Sequence, residues 1–166
     1  MPDVRNRPPP ATYIMCGLAF SGKSSAARRI SDSLGIRLIS LDSINHERGL
    51  RGGDGIAVEE WERTSAIAME RLEQTLLAGQ SAVIDDTFSH RFLRDRCRAV
   101  AERCGSRFAI LYMDTPLDVI EARRRANDRN PTRHQVREEV FIAHRDGFQH
   151  PGADEAVVRV RDDASL

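Results

Sequence analysis

The sequence has a single lysine, an odd number of cysteines and no excess of either charge. Lys23 is the only lysine among the 25 basic residues, and the acidic residues also number 25. Zero net charge argues against a general binder of nucleic acid or membrane surfaces, although a local basic patch remains possible. The three cysteines have no CxxC spacing, which argues against a zinc site and favours free thiols in a reducing compartment.

Long apolar runs are also missing. No stretch reaches the roughly 18 residues needed to cross a bilayer, and the first ten residues, MPDVRNRPPP, have no apolar signal-peptide segment. We therefore expect a cytoplasmic protein that does not bind membranes. Residues 1–10 are expected to form a disordered lead-in, and residues 11–166 a single domain.

Strand-like and helix-like segments alternate along the chain. Short apolar runs predict five strands, at 12–16, 36–40, 81–85, 107–113 and 155–160. Helical spacing predicts a long helix over 58–78, and four glycines make 49–55 a flexible loop. This alternation predicts an α/β fold in which helices cover both faces of a five-stranded parallel sheet. Ligands of such sheets bind beyond the carboxyl ends of the strands.

The segment after the first predicted strand, GLAFSGKS at 17–24, matches the phosphate-binding loop G-x-x-x-x-G-K-[ST]. Its amides and the following helix N-terminus suit a nucleotide phosphate, and the compact ammonium of Lys23 suits the β- and γ-phosphates. The alternative is a plain glycine turn. The motif predicts ATP as cofactor and Mg²⁺ bound through Ser24. The predicted cofactor-binding residues are Gly17, Ala19, Phe20, Ser21, Gly22, Lys23, Ser24 and Ser25.

Aspartates follow the second and third predicted strands. Asp42 follows the predicted strand at 36–40. Asp85 is the last residue of the predicted strand at 81–85, and Asp86 comes directly after it. Phosphoryl transfer to a hydroxyl requires one carboxylate to accept the proton and another near the metal. The alternative for each aspartate is a helix cap or turn. The sequence leaves open whether Asp85 or Asp86 faces the site. His90 is interpreted as a residue at the start of a helix.

An arginine-rich segment, RRRANDR at 123–129, follows the fourth predicted strand. Arg125 and Arg129 are four residues apart and share a helix face. Such arginines can form a lid that neutralises the transferring phosphoryl group. Two alternatives remain, a solvated face paired with nearby acidic residues and a nucleic-acid patch. The latter would require interleaved aromatic residues, which the segment lacks.

Together these features resemble small P-loop kinases. The resemblance covers about residues 12–150 and is strongest to the kinase domain of polynucleotide 5′-kinases, with chloramphenicol phosphotransferase and zeta-toxin kinases sharing the plan. It implies a P-loop kinase fold with an arginine-rich lid. It makes Asp42 the general base, Lys23, Arg125 and Arg129 catalytic, and Asp86 a substrate residue. The predicted substrate residues are Asp42, Asn45 and Asp86. Polynucleotide kinases carry an arginine at the position of Asn45, and its absence here favours a neutral acceptor.

The resulting hypothesis is an ATP- and Mg²⁺-dependent kinase that phosphorylates a hydroxyl of a small molecule, either a metabolite or an antibiotic. The helix at 58–78 and the loop at 49–55 are the expected acceptor walls. One alternative is a 5′-hydroxyl polynucleotide kinase, which would act on nucleic acid. A nucleotide-dependent switch or assembly ATPase is an alternative of another class.

Overall fold

The computed structural model describes residues 8–51 and 55–161. Most of the expected lead-in, residues 1–7, lies outside the described residues, as do positions 52–54 of the glycine-rich loop. A single sheet contains five strands: β1 Ala11–Cys16, β2 Arg37–Ser40, β3 Ala82–Asp85, β4 Arg107–Met113 and β5 Val157–Val160. All neighbouring strands pair in parallel. The five predicted strands are therefore confirmed, with ends that differ by a residue or two.

Six helices connect the strands of the described chain: α1 Lys23–Leu34, α2 Leu41–Glu47, α3 Val58–Leu77, α4 Arg91–Arg103, α5 Leu117–Arg129 and α6 Glu138–Asp146. The predicted helix over 58–78 corresponds to α3. At its carboxyl end α1 stops at Gly35, which has a φ of 61° and suits the left-handed conformation favoured by glycine.

Both faces of the sheet are buried. Alternate residues of the strands pack on opposite sides, because successive side chains of a strand point to opposite faces. Ile14 belongs to the larger cluster, with residues of α3 and α4 such as Leu72 and Cys97. Met15 belongs to the other, with Ala26 and Ala27 of α1. Helices on both faces, as predicted, exclude water from the sheet.

The strand order β2-β3-β1-β4-β5 determines where a ligand can bind. From β1 the chain passes through α1 to the edge strand β2, whereas α4 carries it from β3 across β1 to β4. Connections thus leave the neighbours β3 and β1 in opposite directions, which opens a crevice at their carboxyl ends. Ser40 of β2 lies in register with Asp85 of β3. The predicted strand-end aspartates consequently reach the same edge.

The three cysteines are free, as expected, with Cys16 and Cys97 buried and Cys104 partly buried. Burial raises the pKa of the Cys16 thiol to about 12, which keeps it protonated at neutral pH. Among the described helices, none combines the length and the apolar character that crossing a bilayer would require.

Candidate active site

The phosphate-loop motif forms a tight loop between β1 and α1. At Gly17 an added Cβ would lie 2.9 Å from the Ser21 hydroxyl and 3.0 Å from the Met113 carbonyl oxygen. Gly22 has a φ of 94° and occupies the N-cap position of α1. Gly17, with a φ of 153°, is therefore required by close packing as well as by backbone conformation, and Gly22 by backbone conformation.

The loop leaves polar groups facing inward without partners. The first amides of an α-helix have no intrahelical acceptor, and α1 has no acidic residue in its first turn to neutralise them. The Ser21 hydroxyl is buried without a hydrogen-bond partner among the described residues. Thr115 donates to the Ser21 carbonyl oxygen at 2.8 Å and so fixes the loop against the end of β4. This arrangement fits an anion such as a phosphate.

Lys23 is buried beneath the loop, with 8% of its surface exposed. Its ammonium donates to the Leu18 carbonyl oxygen at 2.7 Å. Burial lowers the pKa of Lys23 to about 8, an effect that Asp85 and Asp86 partly oppose and the Arg133 charge increases. The nearby carboxylates thus offset only part of the cost of burying this positive charge. A bound phosphate would stabilise the charged form and raise the pKa of Lys23 again.

Asp85 and Asp86 both line the cavity next to Lys23. Burial raises the pKa of Asp85, whereas a side-chain interaction with Ser24 and the positive charge of Lys23 lower it by a smaller amount. Burial also raises the pKa of Asp86, which the Thr87 amide partly counters. The two carboxylates thus have different neighbours: Ser24 lowers the pKa of Asp85, whereas the Thr87 and Phe88 amides lower that of Asp86.

The residues present fit a magnesium ion. Oxygen ligands are the ones that Mg²⁺ prefers, usually one or two carboxylates together with substrate phosphates. The Ser24 hydroxyl and the Asp85 carboxylate supply such oxygens next to the phosphate loop. No group of three or more histidine, cysteine or acidic residues among the described ones could hold a metal by itself. Nucleotide phosphates would have to complete the coordination.

Asp42 lies in the first turn of α2 and faces the same cavity. It does not cap the helix, because Ser40 occupies the N-cap position and accepts from the Ser43 amide at 3.3 Å. The negative charge of Asp42 helps to raise the pKa of both Asp85 and Asp86. Three carboxylates from the ends of β2 and β3 therefore face the phosphate loop together.

One cavity of about 610 Å³ contains all these groups and extends beyond them. Its far part, which we name the α3–α4 compartment, lies between those two helices. It is lined by Val58, Trp61, Glu62, Ser65, Met69, Phe88, Phe92, Leu93 and Arg96. The predicted wall at 58–78 is thus present. The described residues of the 49–55 loop are not among the lining residues.

The arginine segment does not reach the cavity as the sequence predicted. Arg125 and Arg129 are exposed on α5, and Arg125 pairs with Glu121 at 3.4 Å. Neither is among the described residues that line the cavity; Arg133, which follows the helix, does line it. Its guanidinium lies 4.4 Å from the centre of the Phe20 ring in the phosphate loop. The shared helix face of Arg125 and Arg129 is the solvent face.

Asn45, predicted as a substrate residue, lies away from the cavity. It is 3% exposed and lies between α2 and α3, where its side-chain oxygen accepts from the Thr64 hydroxyl. It is not a lining residue of the cavity. Its substrate role therefore stays a prediction, and the contact that the structure gives it is with α3.

Several cavity residues escaped the sequence analysis. His90, predicted to start a helix, is the N-cap residue of α4 and also lines the cavity. Phe92 and Arg96, one turn apart on α4, line it as well, and His144 joins them from α6. A signal for Phe92 existed, because it lies off the α4 face formed by Cys97 and Val100. This signal is weak, because single exposed apolar side chains are common on protein surfaces.

Solved structures of other proteins have the same fold. A gluconokinase from Sinorhizobium meliloti 1021 is 18% identical, with 93% of this chain and 84% of that chain covered and a TM-score of 0.63. The Mycobacterium tuberculosis APS kinase CysC, in complex with AMPPNP and APS, is 23% identical, with 96% and 92% covered and a TM-score of 0.59. Chaetomium thermophilum Kti12, in complex with ADP-AlF3, is 13% identical, with 92% and 89% covered and a TM-score of 0.74.

At these identities the likeness shows the fold alone, the P-loop NTPase fold of kinase type. No curated protein matches the sequence significantly. A family model described as an AAA domain, AAA_33, matches residues 13–151, which include the phosphate loop, the three carboxylates and Arg133. The chain therefore belongs to the AAA_33 family.

Proposed function

We propose that the protein transfers the γ-phosphate of ATP to a hydroxyl group of a small molecule. The observation that carries this proposal is that one cavity joins the phosphate loop, the Asp42 carboxylate and the α3–α4 compartment. A hydrolase needs room only for water beside the γ-phosphate. A kinase needs a second binding space on the far side of its carboxylate, and the α3–α4 compartment has that position.

The phosphate loop and Lys23 would bind the triphosphate. The loop amides would donate to the phosphates, and the Lys23 ammonium provides a positive charge that its present surroundings compensate poorly. Ser24 and Asp85 would hold Mg²⁺, which when bound neutralises phosphate charge and orients the terminal phosphate. Asp86, which is partly buried, would favour the charged form of Lys23, because its negative charge raises the pKa of the lysine.

Asp42 would accept the proton of the acceptor hydroxyl. In the transfer, a bond forms between the acceptor oxygen and the γ-phosphorus, and the bond from the γ-phosphorus to the β–γ bridging oxygen breaks. ADP leaves with that electron pair, and the hydroxyl proton goes to the Asp42 carboxylate. Asp42 is exposed in the free protein, so a bound acceptor would also exclude water from it.

Arg133 is the arginine that we propose to stabilise the transferring phosphoryl group. It lines the cavity and is close enough to Lys23 to lower the pKa of that lysine. Arg125 and Arg129 face solvent from α5. The segment after α5, rather than α5 itself, would then act as the lid over the nucleotide.

Two of the similar structures, a gluconokinase and an APS kinase in complex with AMPPNP and APS, support a small-molecule acceptor and ATP as the cofactor. The similarity to Kti12 in complex with ADP-AlF3 supports a second candidate function, that of a nucleotide-dependent switch or ATPase. That candidate predicts phosphate release to water and no phosphorylated acceptor. A nucleic-acid acceptor would instead show a steep loss of affinity with salt.

The test is transfer from γ-labelled ATP to a panel of acceptors: sugars, nucleosides, 5′-hydroxyl oligonucleotides, and aromatic and antibiotic alcohols. Asp42→Asn should lower the rate about 10²- to 10⁴-fold while ATP affinity changes little, because only the proton acceptor is lost. Asp32→Asn, an exposed aspartate on α1 outside the cavity, is the matched control. Unchanged transfer by Asp42→Asn, or label released only as inorganic phosphate, would refute the proposal.

A further inference from the structure

The walls of the α3–α4 compartment are mostly apolar. Trp61 and Met69 of α3 face Phe92 and Leu93 of α4 across it, and Phe88 lines it from the loop after β3. Its polar side chains are few: Glu62, Ser65 and Arg96. A ligand enclosed here would therefore meet mainly carbon atoms, with these three side chains and the Asp42 carboxylate as its polar neighbours.

Two of these apolar residues are exposed in the free protein. Val58 has 70% of its surface exposed and Phe92 58%, which makes them two of the six exposed large hydrophobic residues among the described part of the chain. Isolated exposed apolar side chains need no explanation, but these two line the same cavity as the partly buried Trp61, Met69 and Leu93. They are placed to cover an apolar ligand at the mouth.

The face of α3 that lines the compartment lies beside its core face, and its Trp61 and Met69 are partly buried against the core. Thr64, Ala68, Leu72 and Leu76 form the core face and are buried, whereas the lining residues lie along the neighbouring stripe. The core of the protein is therefore complete without the apolar lining residues at the mouth. Exposed apolar residues that the fold does not need are the kind that bind ligands.

We infer that the acceptor is an apolar, aromatic alcohol rather than a sugar or another polyol. The inference rests on the proposed function and specifies its substrate class. A polyol would bury several hydroxyls against carbon, and burying a hydroxyl without a hydrogen-bond partner is unfavourable. An aromatic alcohol presents one hydroxyl to Asp42 and packs its ring against Trp61 and Phe92, where ring–ring contacts add to the apolar area buried.

The chain offers its own probe for the test. Trp61 is the only tryptophan, so intrinsic fluorescence reports binding in the compartment without any need for transfer. We expect phenethyl alcohol and benzyl alcohol to change Trp61 fluorescence saturably and to become labelled by γ-labelled ATP. Glycerol and sorbitol should do neither at the same concentrations. Binding of the aromatic alcohols should also show a negative heat-capacity change, the marker of apolar burial.

Phe92→Ser is the variant that tests the location. It should weaken binding of the aromatic alcohols about tenfold and leave ATP affinity unchanged. Leu34→Ser is the control, because Leu34 is equally exposed, at 59%, and lies on α1 outside the cavity. Because Phe92 is largely exposed, its replacement should leave the fold intact, which thermal unfolding of both variants would check.

Each result separates the inference from the proposed function. Labelled sorbitol without binding of aromatic alcohols would overturn the inference and leave kinase activity standing. Saturable, Phe92-dependent binding of aromatic alcohols without phosphorylation of any acceptor would support the ligand class and refute the kinase. If aromatic alcohols do not change Trp61 fluorescence, or if Phe92→Ser and Leu34→Ser behave alike, the inference is wrong.

Discussion

Arg94 and Lys23 are both buried cations, but their surroundings differ. Arg94, with 1% of its side chain exposed, donates to both carboxylate oxygens of Glu155, at 2.7 and 3.0 Å, and to the Phe88 and Gln149 carbonyl oxygens. Burial alone would raise the pKa of Glu155, but the bonds from Arg94 and the Gly152 amide lower it. Around Lys23, by contrast, burial prevails over two nearby carboxylates.

The difference separates a structural charge from a functional one. Four contacts satisfy Arg94, which joins α4 to the segment before β5 and leaves nothing for a ligand to add. Lys23 has one hydrogen bond to a carbonyl, and Asp85 and Asp86 near it have raised pKa values. Buried charges whose pKa values move toward the neutral form are typical of sites that complete themselves with a ligand.

The largest expected effect is on the structural charge. Arg94→Met leaves the Glu155 carboxylate buried without its partner and should lower the free energy of unfolding by about 3–5 kcal/mol, measured by urea denaturation. The double variant Arg94→Met/Glu155→Leu should recover part of this loss, because no unpaired charge remains. A loss below about 1 kcal/mol in the single variant would mean that the ion pair is not structural.

The next effect concerns the functional region. Arg133→Met should slow phosphoryl transfer about a hundredfold with little change in the unfolding midpoint, because Arg133 stabilises charge only when nucleotide is bound. Arg129→Met is the matched control and should change the rate little, since its side chain faces solvent. Equal losses of rate in the two variants, or a larger loss in Arg129→Met, would instead support Arg129 as the lid arginine, as the sequence predicted.

A smaller effect should appear in the pH dependence of ATP binding. Because the pKa of Lys23 is lowered to about 8 in the free protein and bound phosphates raise it, binding should take up a proton near that pH. ATP affinity should fall roughly tenfold from about pH 7 to about pH 9. Calorimetry in buffers of different ionisation heat measures the uptake.

The groups that face this ammonium are Asp85, Asp86, Arg133 and the Cys16 thiol. Lys23→Arg is the control for their contribution, because a guanidinium stays charged over the whole range. Its ATP affinity should show no fall across that pH range. Binding by the original protein without proton uptake near pH 8 would contradict the assignment of the shift to Lys23.

The smallest effect is expected at the surface next to the Arg94 pair. Arg91 pairs with Asp154 at 2.8 Å, but 39% and 66% of their side chains are exposed. Asp154→Asn should leave stability unchanged within error, because solvent screens exposed ion pairs. Urea denaturation beside Arg94→Met makes the comparison direct. A loss as large as that of Arg94→Met would show that pairing, rather than burial, determines the effect.

The sequence alone was sufficient for the elements and the phosphate loop. Apolar periodicity located the five strands and α3, since it depends on local spacing, and the motif from Gly17 to Ser24 required only neighbouring residues. The position of Asp42 and Asp85 at the same edge also followed, because the carboxyl ends of parallel strands coincide. These are properties that neighbours along the chain decide.

Only the tertiary structure decided which side chains share the cavity. Arg125, Arg129 and Arg133 are evenly spaced along the chain, and the sequence does not distinguish them. In the structure the first two are exposed on α5, whereas Arg133, beyond the end of α5, lines the cavity beside the phosphate loop. Asn45 is buried because α3 packs on α2 through Thr64. Arg94 is buried because Glu155, distant in sequence, meets it. Burial depends on what packs against a residue, and spacing along one element does not contain that information.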